Sequence, residues 1–358
     1  MEIIRPDINI DFVKLRFKAL FCSGLLTVLG VAMMFVHGGL NLGIDFAGGT
    51  LIQVRFQQPT TPDAIRGALA GLGSEQAAVQ QVGSTDDNEF LIRAEHITSA
   101  LQDLSRTVED TLIKTYGEGK VSVRRAEMVG PKVGHDLQQK ALFAIYYTLL
   151  LITIYISGRF ETKWATAAIM AGSMVGVVLL LQALGVPVTY LIFGALIIAL
   201  TLCWLLKLPY ALGAVVALIH DVLITMGVFA IANKEFTLEV VAAILTLAGY
   251  SLNDTIIIYD RIRENVRKHR RENLHKVIND SINQTLSRTI LTSGCTLLVV
   301  ALLFFIGGSV IHDFAFAMMI GIFVGTYSSM FVASPLIILY HDWSQARGRG
   351  RAPAKSPS

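Results

Sequence analysis

Eight long apolar stretches dominate this sequence and decide which folds are open to it. Because the hydrocarbon core of a bilayer is about 30 Å thick, a run of roughly 17–25 apolar residues is typical of a membrane-spanning helix. The runs lie at residues 19–36, 140–158, 165–184, 190–206, 210–232, 237–259, 289–306 and 314–339. The composition, with 53% hydrophobic and 16% charged residues, is also that of a membrane protein with several spans. The sequence therefore predicts a polytopic α-helical membrane protein.

Residues 38–139, between the first two runs, have a different character. Segments that alternate apolar and polar residues predict strands, and apolar residues at helical spacing predict two helices. The predicted strands are 51–56, 77–82, 90–94 and 121–129, and the predicted helices are 62–72 and 99–116. This βαββαβ order is that of a ferredoxin-like α/β domain.

The basic residues outside this domain indicate its orientation in the membrane. They concentrate in segments 1–18, 159–163, 261–288 and 347–355, which share one side of the membrane if the runs alternate. The short loops on the opposite side contain only Lys234. Because Lys and Arg are enriched in cytoplasmic loops, we expect both termini in the cytoplasm and the ferredoxin-like domain on the extracytoplasmic side.

Three segments on the predicted cytoplasmic side have recognisable patterns. Segment 1–18 is polar, and the run after it ends at His37 instead of a signal-peptide cleavage site, so we interpret that run as an uncleaved span. Within the basic segment 260–288, apolar residues keep helical spacing, which predicts an amphipathic helix lying on the membrane surface. Residues 343–358 have the composition of a disordered tail.

A carboxylate interrupts the sixth apolar run. Asp254 closes the motif GYSLND, in which Tyr250, Ser251 and Asn253 are also polar. An ionised Asp at the centre of a membrane helix costs at least about 2.5–3.5 kcal/mol, so it needs a partner, water or a proton. One interpretation is a hydrogen-bonded Asp that fixes helix packing, and the other is a proton carrier. The pattern alone leaves both open.

A second carboxylate, Asp221, lies in the fifth run, directly after His220. Buried carboxylates in two neighbouring spans favour a functional role over packing. Consecutive helical residues point about 100° apart, so these two side chains need not share a partner. A metal site would need more ligands, and no hydrolase nucleophile motif is found. We therefore expect no metal, no cofactor and no hydrolase site here.

Arg288 begins the seventh run, between Ser287 and Thr289. An Arg at the end of a membrane helix usually extends to the lipid headgroups and anchors the helix, and position alone favours this interpretation. The alternative is that Arg288 approaches Asp254 and controls the protonation of its carboxylate. The hydroxyl-bearing residues around Arg288 either line water or bind the backbone of their own helix.

Two glycine-rich motifs flank the ferredoxin-like domain where it meets the membrane. The first, GIDFAGGT, contains Gly43, Asp45, Gly48 and Gly49, and the second, GPKVG, contains Gly130, Pro131 and Gly134. Glycines at such positions serve either turns or a hinge, and the pattern does not distinguish the two. In the last run, Gly321 and Gly325 align with other small residues, which predicts close helix packing.

Six motifs resemble the SecF branch of the SecD/SecF family of protein-export membrane proteins. They are GIDFAGGT at 43–50, VGPKVG at 129–134, ALIHDV at 217–222, GYSLNDTIIIYDRIREN at 249–265, TLSRTILTSGCTLL at 285–298 and GIFVGTYSSMFVASP at 321–335. The resemblance implies an RND-like helix bundle in the bacterial inner (cytoplasmic) membrane. It also implies a proton-driven motor for protein export and not an enzyme.

The resemblance further implies partners and site residues. The implied partners are SecD, the SecYEG translocon, YajC and YidC, together with an unfolded preprotein, lipid and protons but no nucleic acid. The Asp of the family's LND motif and the Arg of its SRT motif belong to a proton path, and they correspond to Asp254 and Arg288. The HDV motif adds Asp221 as a third candidate.

Segment 163–207 departs from the family pattern. Members usually have six spans, whereas here two additional apolar runs without buried charge follow the RFE motif at 159–161. We interpret the segment as an inserted transmembrane hairpin at the periphery. Two other functions stay open: a small-molecule proton antiporter of RND type, and a purely structural translocon accessory in which Asp254 only holds helices together.

Overall fold

The computed structural model describes residues 8–70, 78–82, 88–94, 101–161 and 164–349. It contains a bundle of long helices, with an α/β domain inserted between the first and second of them. The elements are α1 (Phe12–Val36), α2 (Ile44–Ala47), β1 (Gly49–Phe56), α3 (Pro62–Leu69), β2 (Ala78–Val82), β3 (Glu89–Ala94), α4 (Leu101–Tyr116), β4 (Val121–Val129), α5 (Pro131–Glu161), α6 (Trp164–Ala183), α7 (Val188–Leu205), α8 (Pro209–Ile231), α9 (Leu238–Lys268), α10 (Leu274–Ile306), α11 (Ser309–Ser328), a π-helical turn (Ser329–Ala333) and α12 (Ser334–Arg349). We call the end of the bundle that contacts the α/β domain the domain side and the opposite end the far side.

Four antiparallel strands in the order β2-β3-β1-β4 form the sheet of the α/β domain. Ile52 in the central β1 pairs with Ile92 of β3 and with Ala126 of β4. Ile65 of α3 and Leu112 of α4 are buried together with Ile52 in the core of this domain. The strand order is the ferredoxin-like one that the sequence predicts. Residues 83–87, between β2 and β3, lie outside the described part of the chain.

Seven helices in the described part of the chain are long and apolar enough to cross a membrane. They are α1, α5, α6, α8, α9, α10 and the continuous helix that α11, the π-helical turn and α12 form. The remaining predicted span corresponds to α7, whose apolar segment Phe193–Leu205 is shorter. The chain is thus a multi-pass membrane protein with a small α/β domain, and the predicted fold class is confirmed.

α8 occupies the centre of the bundle, where it contacts α1, α5, α7, α9, α11 and α12. Its approach to α1 depends on two glycines, because a Cβ on Gly227 would lie 2.5 Å from the Cα of Gly30. Small residues allow membrane helices to approach this closely. Asp221 lies on α8 and is therefore held deep inside the bundle.

Several helices extend beyond the predicted spans. α1 begins at Phe12 instead of 19, α5 at Pro131 instead of 140, and α10 at Leu274 instead of 289, while α9 continues past 259 to Lys268. Consequently α10 takes up the second half of segment 260–288, and the expected amphipathic helix on the membrane surface is not formed as a separate element.

The apolar stripe of that segment faces protein and not lipid. Val277, Ile278 and Ile282 on the first turns of α10 are buried in the bundle core. Beside them, Asn265 of α9 donates a 2.9 Å hydrogen bond to the hydroxyl of Ser281. Apolar residues at helical spacing look the same whether they cover lipid or another helix, which explains the wrong prediction.

The last helix also passes its predicted boundary. Pro335 has no N–H to donate within the helix, and the π-helical turn ends two residues before it, at Ala333. The hydroxyl of Ser334 donates to the carbonyl of Ser329 at 2.9 Å. α12 then continues to Arg349, so the prediction of disorder is wrong for residues 343–349. Residues 350–358 and 1–7 lie outside the described part of the chain.

α6 and α7 form a hairpin that packs on α5 and α8. Met170 of α6 is buried against the bundle, whereas Phe193 of α7 points outward. At the far side, the ring of Trp204 lies 4.5 Å from the ring of Trp343 on α12. The hairpin therefore lies at the periphery of the bundle and is attached to the last helix by aromatic packing.

Candidate functional site

Asp221 is the buried carboxylate on α8, and its oxygens connect three helices. One oxygen accepts hydrogen bonds from the hydroxyl of Ser251 on α9, at 2.5 Å, and from the hydroxyl of Ser328 on α11, at 2.9 Å. The other oxygen lies 2.9 Å from Nδ1 of His220. All four side chains are buried. His220 and Asp221 thus contact each other, although their Cα–Cβ bonds point in different directions.

Gly325 on α11 creates the space for this cluster. A Cβ at Gly325 would lie 2.9 Å from both Cβ and Oγ of Ser251 and 3.4 Å from the carboxylate of Asp221. One turn earlier, a Cβ at Gly321 would overlap the side chain of Leu247 on α9. The two glycines therefore pack closely as expected, and this close packing lets α11 approach α9 near the hydrogen bond between Ser251 and Asp221.

Asp254 lies one turn after Ser251 on α9 and is 2% exposed. Its carboxylate accepts a 2.8 Å hydrogen bond from the hydroxyl of Ser293 on α10. Residues three apart on a helix share a face, so Ser251 and Asp254 join the Asp221 cluster to α10 through one turn of α9. The structure therefore brings both buried carboxylates into one polar region that crosses α11, α8, α9 and α10.

Two polar atoms in this region have no hydrogen-bond partner within the described structure. They are Nε2 of His220 and the hydroxyl of Thr289, and both are buried. Thr289 lies one turn before Ser293 on α10, on the same face. Buried polar atoms without a partner are rare in folded proteins and point to water or to a group that changes partner.

Arg288 is exposed and forms no ion pair with Asp254 within the described residues. It lines a cavity on the far side of Asp254, together with Asn253 and Thr285. An ion pair of 2.6 Å between Arg159 of α5 and Asp260 of α9 forms part of the cavity wall. Arg288 thus lies at the wall of this cavity and is also exposed at the surface of the bundle.

Tyr250 and Ser287 are the remaining predicted polar residues. Tyr250 donates a 3.3 Å hydrogen bond to the backbone carbonyl of Thr292 on α10. Ser287 is half-buried. Among the described residues, no group of three or more His, Cys, Asp or Glu side chains has a geometry that could hold a metal ion.

The two glycine motifs meet at the domain side. α2, in the first motif, packs on the first turns of α5, in the second. Gly48 has a φ of +75°, which favours glycine, and a Cβ on Gly134 would lie 3.0 Å from the carbonyl oxygen of Phe46. Pro131 and Gly134 belong to α5 and Gly49 belongs to β1. The motifs therefore form a packed junction.

Comparison with known proteins identifies the family. The C-terminal profile of the protein export membrane proteins SecD/SecF matches residues 107–188 and 182–343, and the SecD/SecF GG motif matches residues 34–60. The chain is 41% identical to the protein translocase subunit SecF of Desulfurispirillum indicum, over 92% of this chain and 91% of that protein. The chain belongs to the SecF family. The SecF of Magnetococcus marinus is also 41% identical, over 100% of both chains.

A solved structure shares the fold of this SecF-family chain. The crystal structure of SecDF, a translocon-associated membrane protein from Thermus thermophilus, has a TM-score of 0.75 and 31% sequence identity over 95% of this chain. A SecDF structure in the super-membrane-facing form has a TM-score of 0.63 at the same identity. This chain spans 40% of either SecDF chain.

Two serines that contact the SecF-family carboxylates were not predicted as site residues. The sequence pattern around Ser328 indicates helix packing, and Ser293 is one of several hydroxyl residues that could bind their own backbone. Both contact an Asp on another helix, and the Ser328 hydroxyl also lies 3.1 Å from the carbonyl of Gly325 on its own helix. Their position on the same helical faces as Gly325 and Thr289 is the signal that could have singled them out.

Proposed function

We propose that this chain is the SecF subunit of a protein translocase complex, and that with SecD it uses the proton-motive force to promote preprotein export through SecYEG. Its membrane is the bacterial inner membrane, with both termini in the cytoplasm and the α/β domain outside. The observation that carries the proposal is the buried carboxylate of Asp254, hydrogen-bonded across a helix interface to Ser293. The proposed orientation in the membrane is supported by the Lys- and Arg-rich segments, which lie on the far side of the bundle.

Asp254 is the residue at which a proton would do work. Its carboxylate lies in an apolar bundle, where the charged form is costly and the neutral form is not. An ionised Asp254 needs the Ser293 hydroxyl and further polar groups, whereas a neutral one can separate from them. The two protonation states therefore favour different packings of α9 against α10. Each proton that crosses about 100 mV releases about 2.3 kcal/mol for that change.

The far-side cavity gives this carboxylate a route to the cytoplasm. It is lined by Arg288 and Asn253, and Asn253 directly precedes Asp254 in the chain. The hydroxyl of Thr289, one residue after Arg288, is buried and has no hydrogen-bond partner among the described residues. Water that extends from the cavity to this hydroxyl would carry the proton towards the cytoplasm. In this proposal Arg288 supplies positive charge near the exit, and Asp221 responds through Ser251.

The partners follow from the family and from the lipid-facing surface. SecDF from Thermus thermophilus contains this fold as 40% of its chain, so we propose that a SecD protein supplies the rest. An apolar groove between α10 and α11, which includes Leu298, Met319 and Phe323, is a suitable contact surface for helices of that partner. YajC and YidC remain further candidate partners.

Replacement of Asp254 by Asn tests the proposal. Asn keeps the size and hydrogen-bonding capacity of the side chain but cannot titrate. We expect Asp254→Asn to accumulate, to bind SecD and to lose the part of preprotein export that depends on a proton gradient, measured in inverted vesicles. Asp136→Asn is the matched control, because Asp136 is an exposed carboxylate on α5, and this variant should retain gradient-dependent export. Full gradient dependence in Asp254→Asn would show that the proposed proton path through Asp254 is wrong and would favour a packing role for this residue.

A small-molecule antiporter is the second candidate, and one observation favours it. A cavity between the sheet and the domain-side helix ends is lined by polar groups that include Gln53, Gln80, Arg125 and Glu235. An antiporter would exchange protons for a solute in the absence of preprotein. A pH-sensitive dye inside proteoliposomes that contain the full complex distinguishes the two. Our proposal expects proton flux that rises when a translocating preprotein is present.

A further inference from the structure

The α/β domain is hydrogen-bonded to the start of α9, the helix that carries Asp254. The segment before α2 runs parallel to the turn between α8 and α9, with Leu42 opposite Phe236. The N–H of Phe236 donates to the carbonyl of Asn41 at 2.7 Å, and the N–H of Gly43 donates to the carbonyl of Phe236 at 2.9 Å. A short piece of sheet thus connects the domain to α9.

Asp45 extends this connection to the helix itself. Its carboxylate accepts a 2.9 Å hydrogen bond from the N–H of Leu238, the first residue of α9. Thr237 occupies the N-cap position but forms no side-chain cap hydrogen bond. A carboxylate at a helix N-terminus satisfies a free N–H and interacts favourably with the helix dipole. The cap of α9 is therefore supplied by the α/β domain and not by the helix's own sequence.

Close packing keeps Asp45 in this position. A Cβ on Gly43 would lie 2.9 Å from the Cγ2 of Thr237, so only glycine fits there without movement. Phe46 is buried beside Phe236 and Val240 in the core of the bundle. Arg93 of β3 donates a 2.7 Å hydrogen bond to the carbonyl of Leu42 from inside the domain. The junction between the α/β domain and α9 is therefore packed and hydrogen-bonded and is not a flexible linker.

We propose that Asp45 is a positioning residue, which fixes the domain-side end of α9 to the α/β domain and so sets where Asp254 lies relative to Ser293. α9 is continuous from Leu238 to Lys268, so a displacement at its first residue is carried to Asp254. Movement of the domain and the protonation state of Asp254 are then coupled through one hydrogen-bonded contact. The coupling deepens the proposed function and rests on it for its role in export.

Three variants in the full-length chain, bound to SecD in lipid nanodiscs, separate the contributions. Asp45→Ala removes the acceptor, and Asp45→Asn keeps an acceptor but removes the charge. Asp45→Ala combined with Thr237→Asn restores a cap from within α9 without restoring the link to the domain. Asp63→Ala is the control, since Asp63 is an exposed carboxylate of the same domain.

Two measurements report on the cap and on the position of Asp254. The rate of hydrogen exchange in segment 236–245 reports whether the N-terminus of α9 is capped. Dicyclohexylcarbodiimide is an apolar reagent that modifies carboxyl groups, and the rate at which it modifies Asp254 reports on the environment of that carboxyl. We expect Asp45→Ala to raise exchange about fivefold, the effect of a lost N-cap, and to change the labelling rate at least about threefold. Asp45→Asn and Asp63→Ala should match the unmodified protein in both.

The combined variant decides between positioning and simple capping. If Asp45 positions Asp254 through the domain, this variant regains slow exchange but keeps the altered labelling rate. If labelling also returns to normal, or if Asp45→Ala never alters it, the proposal is wrong. Neither measurement involves export, so a failure of the proposed function is seen separately, as gradient-dependent export that survives in Asp254→Asn.

Discussion

Ser293 on α10 donates a 2.8 Å hydrogen bond to the carboxylate of Asp254 on α9, and both side chains are buried. A hydrogen bond to a charged group contributes about 1.5–3 kcal/mol, so this contact makes a large difference to the interface when Asp254 is ionised and a smaller one when it is neutral. Uptake or release of a proton by Asp254 would therefore change the stability of the interface between α9 and α10.

Removal of the Ser293 hydroxyl should therefore impair the gradient-dependent step. We expect Ser293→Ala to reduce gradient-dependent export several-fold, with normal accumulation, because an ionised Asp254 then lacks its donor. Thr296→Ala is the matched control on the same helix, since the Thr296 hydroxyl bonds its own backbone at Thr292. Equal export by both variants and the unmodified protein would show that Ser293 is dispensable.

A methyl group at Gly325 should disturb the Asp221 cluster. The added Cβ would lie 2.9 Å from Ser251, and overpacking of this kind typically costs about 1–3 kcal/mol. We expect Gly325→Ala to lower the thermal unfolding midpoint in detergent by several degrees. A Cβ at Gly172 on α6 would meet no atom of the described structure within 4 Å, so Gly172→Ala should leave the midpoint unchanged or slightly raised.

Substitutions of Arg288 should distinguish a specific role from headgroup anchoring. If its charge acts at the far-side cavity, Arg288→Ala abolishes most gradient-dependent export while Arg288→Lys retains part of it. Lys276→Ala removes an exposed charge earlier on the same helix, α10. It should not change gradient-dependent export, because the ion pair of Lys276 with Glu272 is solvent-exposed. Similar behaviour of the Arg288→Ala and Lys276→Ala variants in vesicle export would indicate lipid anchoring only.

The junction at α2 should become more stable as the pH falls. Burial raises the pKa of Asp45, against the opposing effect of the Leu238 N–H, and burial likewise raises the pKa of Glu235. A carboxyl whose pKa is higher in the folded than in the unfolded protein destabilises the fold while it is ionised. That penalty is complete above the folded pKa and disappears as the pH falls towards the ordinary values of 3.8 and 4.5.

Thermal unfolding measured as a function of pH tests this sign. We expect the unfolding midpoint of the unmodified protein to rise between neutral and mildly acidic pH by more than that of the Asp45→Asn, Glu235→Gln double variant. Other titrating groups contribute equally to both proteins, so the difference between the two curves isolates the pair. Parallel curves would mean that neither carboxyl is perturbed.

Much of the fold could be predicted because its signals are local. Runs of apolar residues reveal spans whatever they pack against, and the alternation in segments such as 51–56 reveals strands. The far-side ends of α9 and α10 could not be predicted in this way. The apolar stripe that includes Val277 and Ile282 is buried against other helices, but its sequence would look the same if it covered lipid. What covers a stripe is a property of the tertiary structure.

The candidate site was predictable in its carboxylates and in two of their partners, His220 and Ser251, but not in Ser293 and Ser328. A membrane Asp is conspicuous because its burial is costly, so Asp221 and Asp254 stand out in any hydropathy profile. Ser328 is not conspicuous, since a serine in a membrane helix commonly bonds its own backbone. Its hydrogen bond to Asp221 exists because α8 and α11 cross there, 107 residues apart in the sequence.

The length of α10 gives the hydrogen bond between Ser293 and Asp254 a mechanical consequence. α10 has 33 residues, so it is about 50 Å long and extends well past a hydrocarbon layer of about 30 Å. Ser293 lies 19 residues from the far-side end of the helix, which is about 28 Å. A tilt of about 10° at that hydrogen bond moves the tip beside Leu274 by about 5 Å. Under the proposed function, protonation of Asp254 would therefore change the position of the far-side end of α10, beyond the hydrocarbon layer.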